Sequence, residues 1–190
     1  MVAKAELGSI FKYVMIGLGV LHLLIGILAV VECVREGIAI SDMFPTSTAS
    51  SVYNTMLPSP FAPFLVGAVC LVFAFIPIYY ILFAIILLDL IEIGLFVWPM
   101  ISVLQMEDKK TMSGIKLVVA FQLTISGASS AQTTAASEAL KSLEGIYVFN
   151  KVVCGMGIFA AVATIPVAGF LAFKNRPGGG GGSFSSTQTS

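Results

Sequence analysis

The chain has 190 residues, 57% of them apolar and only 11% charged, with 10 basic and 10 acidic side chains and a mean hydropathy of +0.99. So little charge on so apolar a chain excludes an ordinary soluble domain, and a formal charge of zero gives no electrostatic footprint for nucleic acid. An all-α integral membrane protein of one domain is expected.

A helix needs roughly 20 apolar residues to cross the hydrocarbon core. After a short N-terminal segment, residues 1–12, the run YVMIGLGVLHLLIGILAVV begins behind Lys12, and a first span is expected over 13–33. A secretory signal has an apolar core of about 7–15 residues followed by a small-residue cleavage site. This run is longer, so a retained anchor is expected. Residues 35–59 are rich in Ser, Thr and Pro and read as an exposed loop. The chain is then apolar from Phe61 almost without break to Gln105, too far for one helix. Pro77, in FIPIYY, is the expected breaker, which gives spans over 61–79 and 80–104.

Residues 106–146 begin MEDKK and contain SGASSAQTTAAS, the composition of a polar connection. Within them IKLVVAFQLTI is too short to span, so an interfacial segment or a small ordered part of the loop is expected. SEALKSLEGIY leads into a last span over 146–173, and the Gly/Ser-rich tail, 175–190, reads as flexible. The expected fold is thus a four-transmembrane-helix bundle over residues 13–174. Lys4 and Lys12 precede the first span, and Lys174 and Arg176 follow the last. The positive-inside rule therefore puts both termini in the cytoplasm, against which stand Lys109 and Lys110 on the opposite side, preceded there by Glu107 and Asp108.

Three ionisable residues do not belong in lipid. At 1.5 Å per residue, His22 lies roughly 15 Å beyond Lys12, and Asp89 roughly 14 Å beyond a turn at residue 80, so the two sit at nearly one depth on spans one and three. A charge at the centre of a span costs a few kcal/mol, which turns both toward the bundle interior. Either they bond to each other across the two helices, or each faces polar backbone or water. Glu92 falls three residues after Asp89, on nearly the same face. Two carboxylates so close resist joint ionisation, and at least one is expected to be protonated at neutral pH. Intramembrane carboxylates also mark ion pathways, but transporters generally carry repeats or broken helices that this sequence does not display, so a structural polar contact is the stronger reading.

Small residues are candidates for close helix packing: Gly17, Gly19 and Gly26 on span one, and Gly157, Ala160, Ala161, Thr164 and Ala168 on span four. Trp98, Tyr147 and Lys151 fall near span ends as interface anchors. Cys33, Cys70 and Cys154 match no zinc spacing and read as packing residues. The sequence has no HExxH, CxxC or phosphate loop, and its one histidine makes neither a haem pair nor a typical zinc cluster. No enzyme activity, metal or cofactor is expected.

Two segments carry a family resemblance. LLDLIEIGLFVW resembles the third span of MARVEL-domain tetraspan proteins, especially smaller fungal members, in which an Asp is followed by Trp; these correspond to Asp89 and Trp98. EALKSLEGIYVFNKVVCGMGIFA is similar to their final span, with Phe149 and Asn150 in its aromatic, Asn-containing motif. Glu92 and the long third connection depart from the pattern. The CCG motif of tetraspanins and the W-GLW-C-C signature of claudins are absent from the sequence. The resemblance implies a non-enzymatic membrane organiser, acting in membrane domains, vesicle traffic or junctions of the plasma or vesicle membrane. Its expected partners are membrane lipids and laterally associated proteins. The alternative class is a small transporter, channel or accessory subunit that uses Asp89 and Glu92 with His22.

Overall fold

The computed structural model describes residues 8–43, 60–106 and 109–176; the N-terminal residues, much of the first loop and the Gly/Ser-rich tail lie outside them. The described residues fold into helices without a strand: α1 (Ser9–Met43), α2 (Phe61–Phe75), α3 (Tyr79–Met106), α4 (Lys109–Ile125) and α5 (Ser130–Lys174). Three stretches, Ser9–Met43, Tyr79–Gln105 and Gly145–Lys174, are long and apolar enough to cross a membrane. The 15 residues of α2 reach about 22 Å at 1.5 Å per residue, short of a hydrocarbon core of about 30 Å.

α1 and α3 each pack against both α2 and α5, which leaves α1 and α3 diagonally opposite in a four-helix arrangement. Their inward faces follow a seven-residue rhythm. On α1 the buried positions are Met15, His22, Ala29, Glu36 and Met43, with Ile25, Glu32 and Ala39 between them. On α3 they are Leu82, Asp89, Phe96 and Val103, with Ile85 and Glu92 between, and on α5 Ala136, Leu143, Asn150, Gly157, Thr164 and Leu171 keep the same interval. A strict heptad keeps one seam inward only if the helices wind left-handedly about each other. The acidic residues are inside because this register carries them there. Met15 shares a core with Leu82 and Leu171, and Met43 with Val103 and Leu143, so α1 and α3 run parallel and α5 runs against both.

Helix ends follow local chemistry. α2 stops at Ile76, whose φ of −126° and ψ of 79° are non-helical, as the residue before Pro77 must be. The chain reverses there and enters α3 three residues later, at Tyr79. α4 closes with Gly127 at φ 62°; the Ala128 amide bonds the Leu123 carbonyl and the Gly127 amide that of Thr124, a Schellman ending that needs glycine's left-handed freedom. α5 opens with a capping box between Ser129 and Gln132.

These ends redraw two of the expected connections, residues 35–59 and 106–146. α1 does not stop near residue 33 but continues to Met43. The connection after α3 is ordered as helix, and IKLVVAFQLTI forms most of α4, one face of which covers the end of the bundle through Val119. α5 starts at Ser130, ahead of its membrane-length apolar part, Gly145–Lys174, which agrees with the last span expected over 146–173. The bundle therefore extends past its apolar part into a lobe built from the ends of α1 and α3, all of α4 and the start of α5, around Ala39, Met43, Val103, Val119, Leu143 and Tyr147.

Glycine serves close approach at several points. A Cβ on Gly67 would lie 2.8 Å from the Gly19 carbonyl oxygen, so α1 and α2 meet backbone to backbone. Gly26 lies under the Phe64 ring and Gly157 under Phe96. Ala160, Ala161, Thr164 and Ala168 are fully buried. Gly17 is different: it faces outward with nothing within 4 Å of a Cβ, so it packs no helix of this bundle. Tyr147 is also corrected. It is buried in the lobe core because α5 is already helical there, whereas Trp98 is exposed and Lys151 half-buried.

Candidate functional site: a buried histidine and carboxylate centre

The heptad register brings His22 of α1, Asp89 and Glu92 of α3, and Thr164 of α5 to one level of the bundle, all with no solvent exposure. The Thr164 hydroxyl donates to the Ala160 carbonyl at 2.9 Å. Its one proton is thereby used, and its oxygen accepts from His22 Nε2, 3.1 Å away. With Nε2 assigned as donor, His22 Nδ1 faces Glu92, 3.1 Å from Oε1 and equally close to Oε2. One proton must lie in that contact, either on the imidazole or on the carboxyl, and both placements leave the His22–Glu92 pair with no net charge.

Asp89 completes the cluster without joining its hydrogen bonds. Its Oδ1 is 3.6 Å from His22 Nε2, beyond hydrogen-bond range for a direct bond. Both Asp89 oxygens, with Glu92 Oε2, have no hydrogen-bond partner among the described residues. The partner that sequence counting proposed for His22, Asp89, is thus its neighbour, while Glu92 and Thr164 hold the imidazole. Counting residues gives depth but not rotation about the helix axis, and rotation decides which carboxylate meets the ring. Thr164, read as a packing residue, is also the acceptor that fixes the imidazole.

A second polar group lies further along the same faces. Asn150 Nδ2 donates to Glu36 Oε2 at 3.2 Å, and the Cys154 thiol donates to Asn150 Oδ1 at 3.2 Å. Glu32 is buried with Arg35 Nη1 3.9 Å from its Oε2, and the Arg35 guanidinium sits 5.2 Å from the Phe149 ring centre. The apolar run of the first span ends before Glu32, and Glu36 falls in residues 35–59, which read as an exposed loop, so neither stood out in the sequence. The available signal was the interval of seven from His22 through Ala29 to Glu36. An open cleft of about 390 Å³ follows in the lobe between α1 and α5, with Arg35, Asp42 and Glu138 among its walls.

Apolar layers separate these groups. Ile25, Ala29, Phe96, Val153 and Ala160 lie between the His22 centre and the Glu32–Glu36 group, with the Phe96 ring pressed against Gly157. On the other side, Met15, Val66, Phe73, Leu82 and Leu171 close the bundle. The centre is sealed within a packed interior, where unpaired charge is costly. His22, Asp89 and Glu92 each present one nitrogen or oxygen donor, the donors lying within 4.8 Å of one another. Comparison of the chain with protein-family models, with curated proteins and with solved structures gave no match, so its residues must carry the functional argument.

Proposed function

We propose that the protein is a non-enzymatic, four-span membrane protein that organises membrane domains or vesicle membranes through lateral contacts with lipids and other membrane helices, as the resemblance to MARVEL-domain proteins implies. The parallel course of α1 and α3 supports four crossings. α1 ends at the lobe and α3 begins at the far end, so the chain returns between them, with α2 as the described part of that return. Lys12 and Lys174 each stand ten residues from the central layer, roughly 15 Å along their helices, which supports one basic boundary and cytoplasmic termini.

The observation that carries the reading is the division between faces. His22, Asp89 and Glu92 turn inward, while Leu24, Ile27, Leu87, Leu90, Phe159 and Val162 are presented outward. Gly17 of α1 and Gly169 of α5 lie on neighbouring helices, each five residues toward the basic end from the central layer, and each has open space where a Cβ would be. Outward glycines at matched depth suit the approach of another helix.

The test is a tagged full-length chain in planar bilayers. Clustering is expected, with Gly17→Leu and Gly169→Leu reducing it while the fold is retained, and ion permeability should equal that of bare lipid. A second reading, a small transporter, channel or accessory subunit, draws on one observation: the unpartnered oxygens of Asp89 and Glu92. A proton or cation flux that disappears in Asp89→Asn would favour it and sink the first.

A further inference from the structure

Asp89 poses a problem that the hydrogen-bond network does not solve. Its carboxylate has no solvent exposure, no hydrogen-bond partner for either oxygen among the described residues, and Oδ1 lies 3.6 Å from His22 Nε2. A buried carboxylate in such a setting is neutralised by a proton or by a cation.

We propose that His22, Asp89 and Glu92 form a binding site for one divalent transition-metal cation of the Zn²⁺ or Mn²⁺ type. The donor set is one imidazole and two carboxylates, suited to such ions and poor for soft Cu(I). A dication with both carboxylates ionised and the imidazole neutral leaves the site uncharged, which a packed interior favours. The geometry is close to what binding needs. Donors about 2.0–2.2 Å from a tetrahedral ion lie roughly 3.3–3.6 Å apart, against separations within 4.8 Å here. Closing that difference takes rotation of the Glu92 carboxylate and a turn of the Asp89 side chain from beside Nε2 toward the ion.

Thr164 is the outer support of this site. It holds His22 Nε2 at 3.1 Å, so Nδ1, the nitrogen 3.1 Å from Glu92, is the one presented to the ion once its shared proton leaves. Metal-bound histidines characteristically anchor their second nitrogen in this way. Asp89, which lies beside Nε2 at 3.6 Å, must turn its carboxylate toward the Nδ1 side to join. Glu36 and Glu32 mark the approach on α1, at the lobe end of the same inward stripe, and the Phe96–Gly157 contact is the apolar layer an ion must pass. Bound metal would join α1 to α3 across the diagonal, whether the protein organises membranes or moves ions, so the inference does not depend on the proposed function.

Zn²⁺ itself is the probe, added to the full-length, chelator-treated protein in lipid nanodiscs and followed by calorimetry and by the nitrogen resonances of the single histidine. One equivalent per chain is expected, with protons released as it binds and a His22 nitrogen shifted by coordination. Asp89→Asn and Glu92→Gln should weaken binding by more than the 10–100-fold expected for the outer-shell change Thr164→Val. Glu32→Gln and Glu36→Gln should leave affinity at the centre within about 3-fold, a change below the tenfold that 1.4 kcal/mol represents. Thr164→Val retains all three donors and decides the matter if a carboxylate variant fails to fold. The inference is overturned if the wild-type chain binds no stoichiometric Zn²⁺, which would leave a proton as the neutralising species. It is equally overturned if Thr164→Val and the carboxylate variants bind like wild type, or if only Glu32→Gln and Glu36→Gln lose binding.

Discussion

Gly157→Ala should destabilise the bundle only while Phe96 is present. The added Cβ would lie 2.5 Å from Phe96 Cε2 and 2.6 Å from Cδ2, about 1 Å inside the 3.5–4.0 Å at which carbon atoms attract. Phe96 is fully buried among Ile25, Ala29, Val153 and Ala160, so the ring cannot swing clear without moving its neighbours. Overpacking of this kind costs about 1–3 kcal/mol. Phe96→Ala alone leaves a cavity at a cost of about 3–5 kcal/mol. In that background the alanine methyl enters empty space and replaces a helix-interior glycine, a change worth up to about 1 kcal/mol in favour. The two substitutions should therefore couple by about 1–4 kcal/mol, above the few tenths found for independent sites. The assay is a double-mutant cycle in mixed micelles, unfolding by rising SDS fraction and reading helicity. Equal costs of Gly157→Ala with and without Phe96 would refute the close contact and, with it, the apolar layer between the two polar groups.

Three further substitutions bear on other contacts. Gly67→Ala places a methyl 2.8 Å from the Gly19 carbonyl oxygen and 2.9 Å from Leu23 Cγ; because one obstacle is backbone, a loss of about 1–3 kcal/mol is expected. Gly94→Ala, with nothing within 4 Å, should be neutral or gain up to about 1 kcal/mol, and equal effects from the pair in the same SDS assay would contradict the α1–α2 approach. Ser129→Ala removes the capping box that starts α5, worth about 1 kcal/mol. Hydrogen exchange should quicken at the amides of residues 130–134 and stay unchanged around Thr164.

The sequence was most legible where a single physical constraint dominates. Apolar length located the three long spans, and the missing amide and fixed φ of Pro77 located the reversal between α2 and α3. Depth by residue counting brought His22 level with Asp89. What counting could not supply is the angle around each helix, and so Glu92, one turn from Asp89, holds the imidazole instead. Composition misled where tertiary packing overrides it. Residues 34–43 look like loop by hydropathy but carry Glu36, Ala39 and Met43 onto the inward stripe of α1, and a helix outside an apolar slab has no reason to be apolar on every face. The start of α5 was announced by Ser129 and Gln132 at capping-box spacing, a local signal masked by the Ser/Thr-rich text around it. Small residues divided similarly: Gly19, Gly26 and Gly157 meet neighbours while Gly17 does not, since composition marks the possibility of close approach and only rotation assigns its direction.

Because the chain has one histidine, its ring nitrogens report on the buried centre without ambiguity. The decisive measurement is the nitrogen spectrum of ¹⁵N-histidine-labelled, metal-free protein in lipid nanodiscs, compared with Glu92→Gln and Thr164→Val. The geometry predicts one fixed ring: a slowly exchanging Nε2 proton that is lost to faster exchange in Thr164→Val, and an Nδ1 resonance that moves in Glu92→Gln. A ring averaging between tautomers, exchanging freely with water and indifferent to both substitutions, would contradict the inward-turned centre on which the account rests.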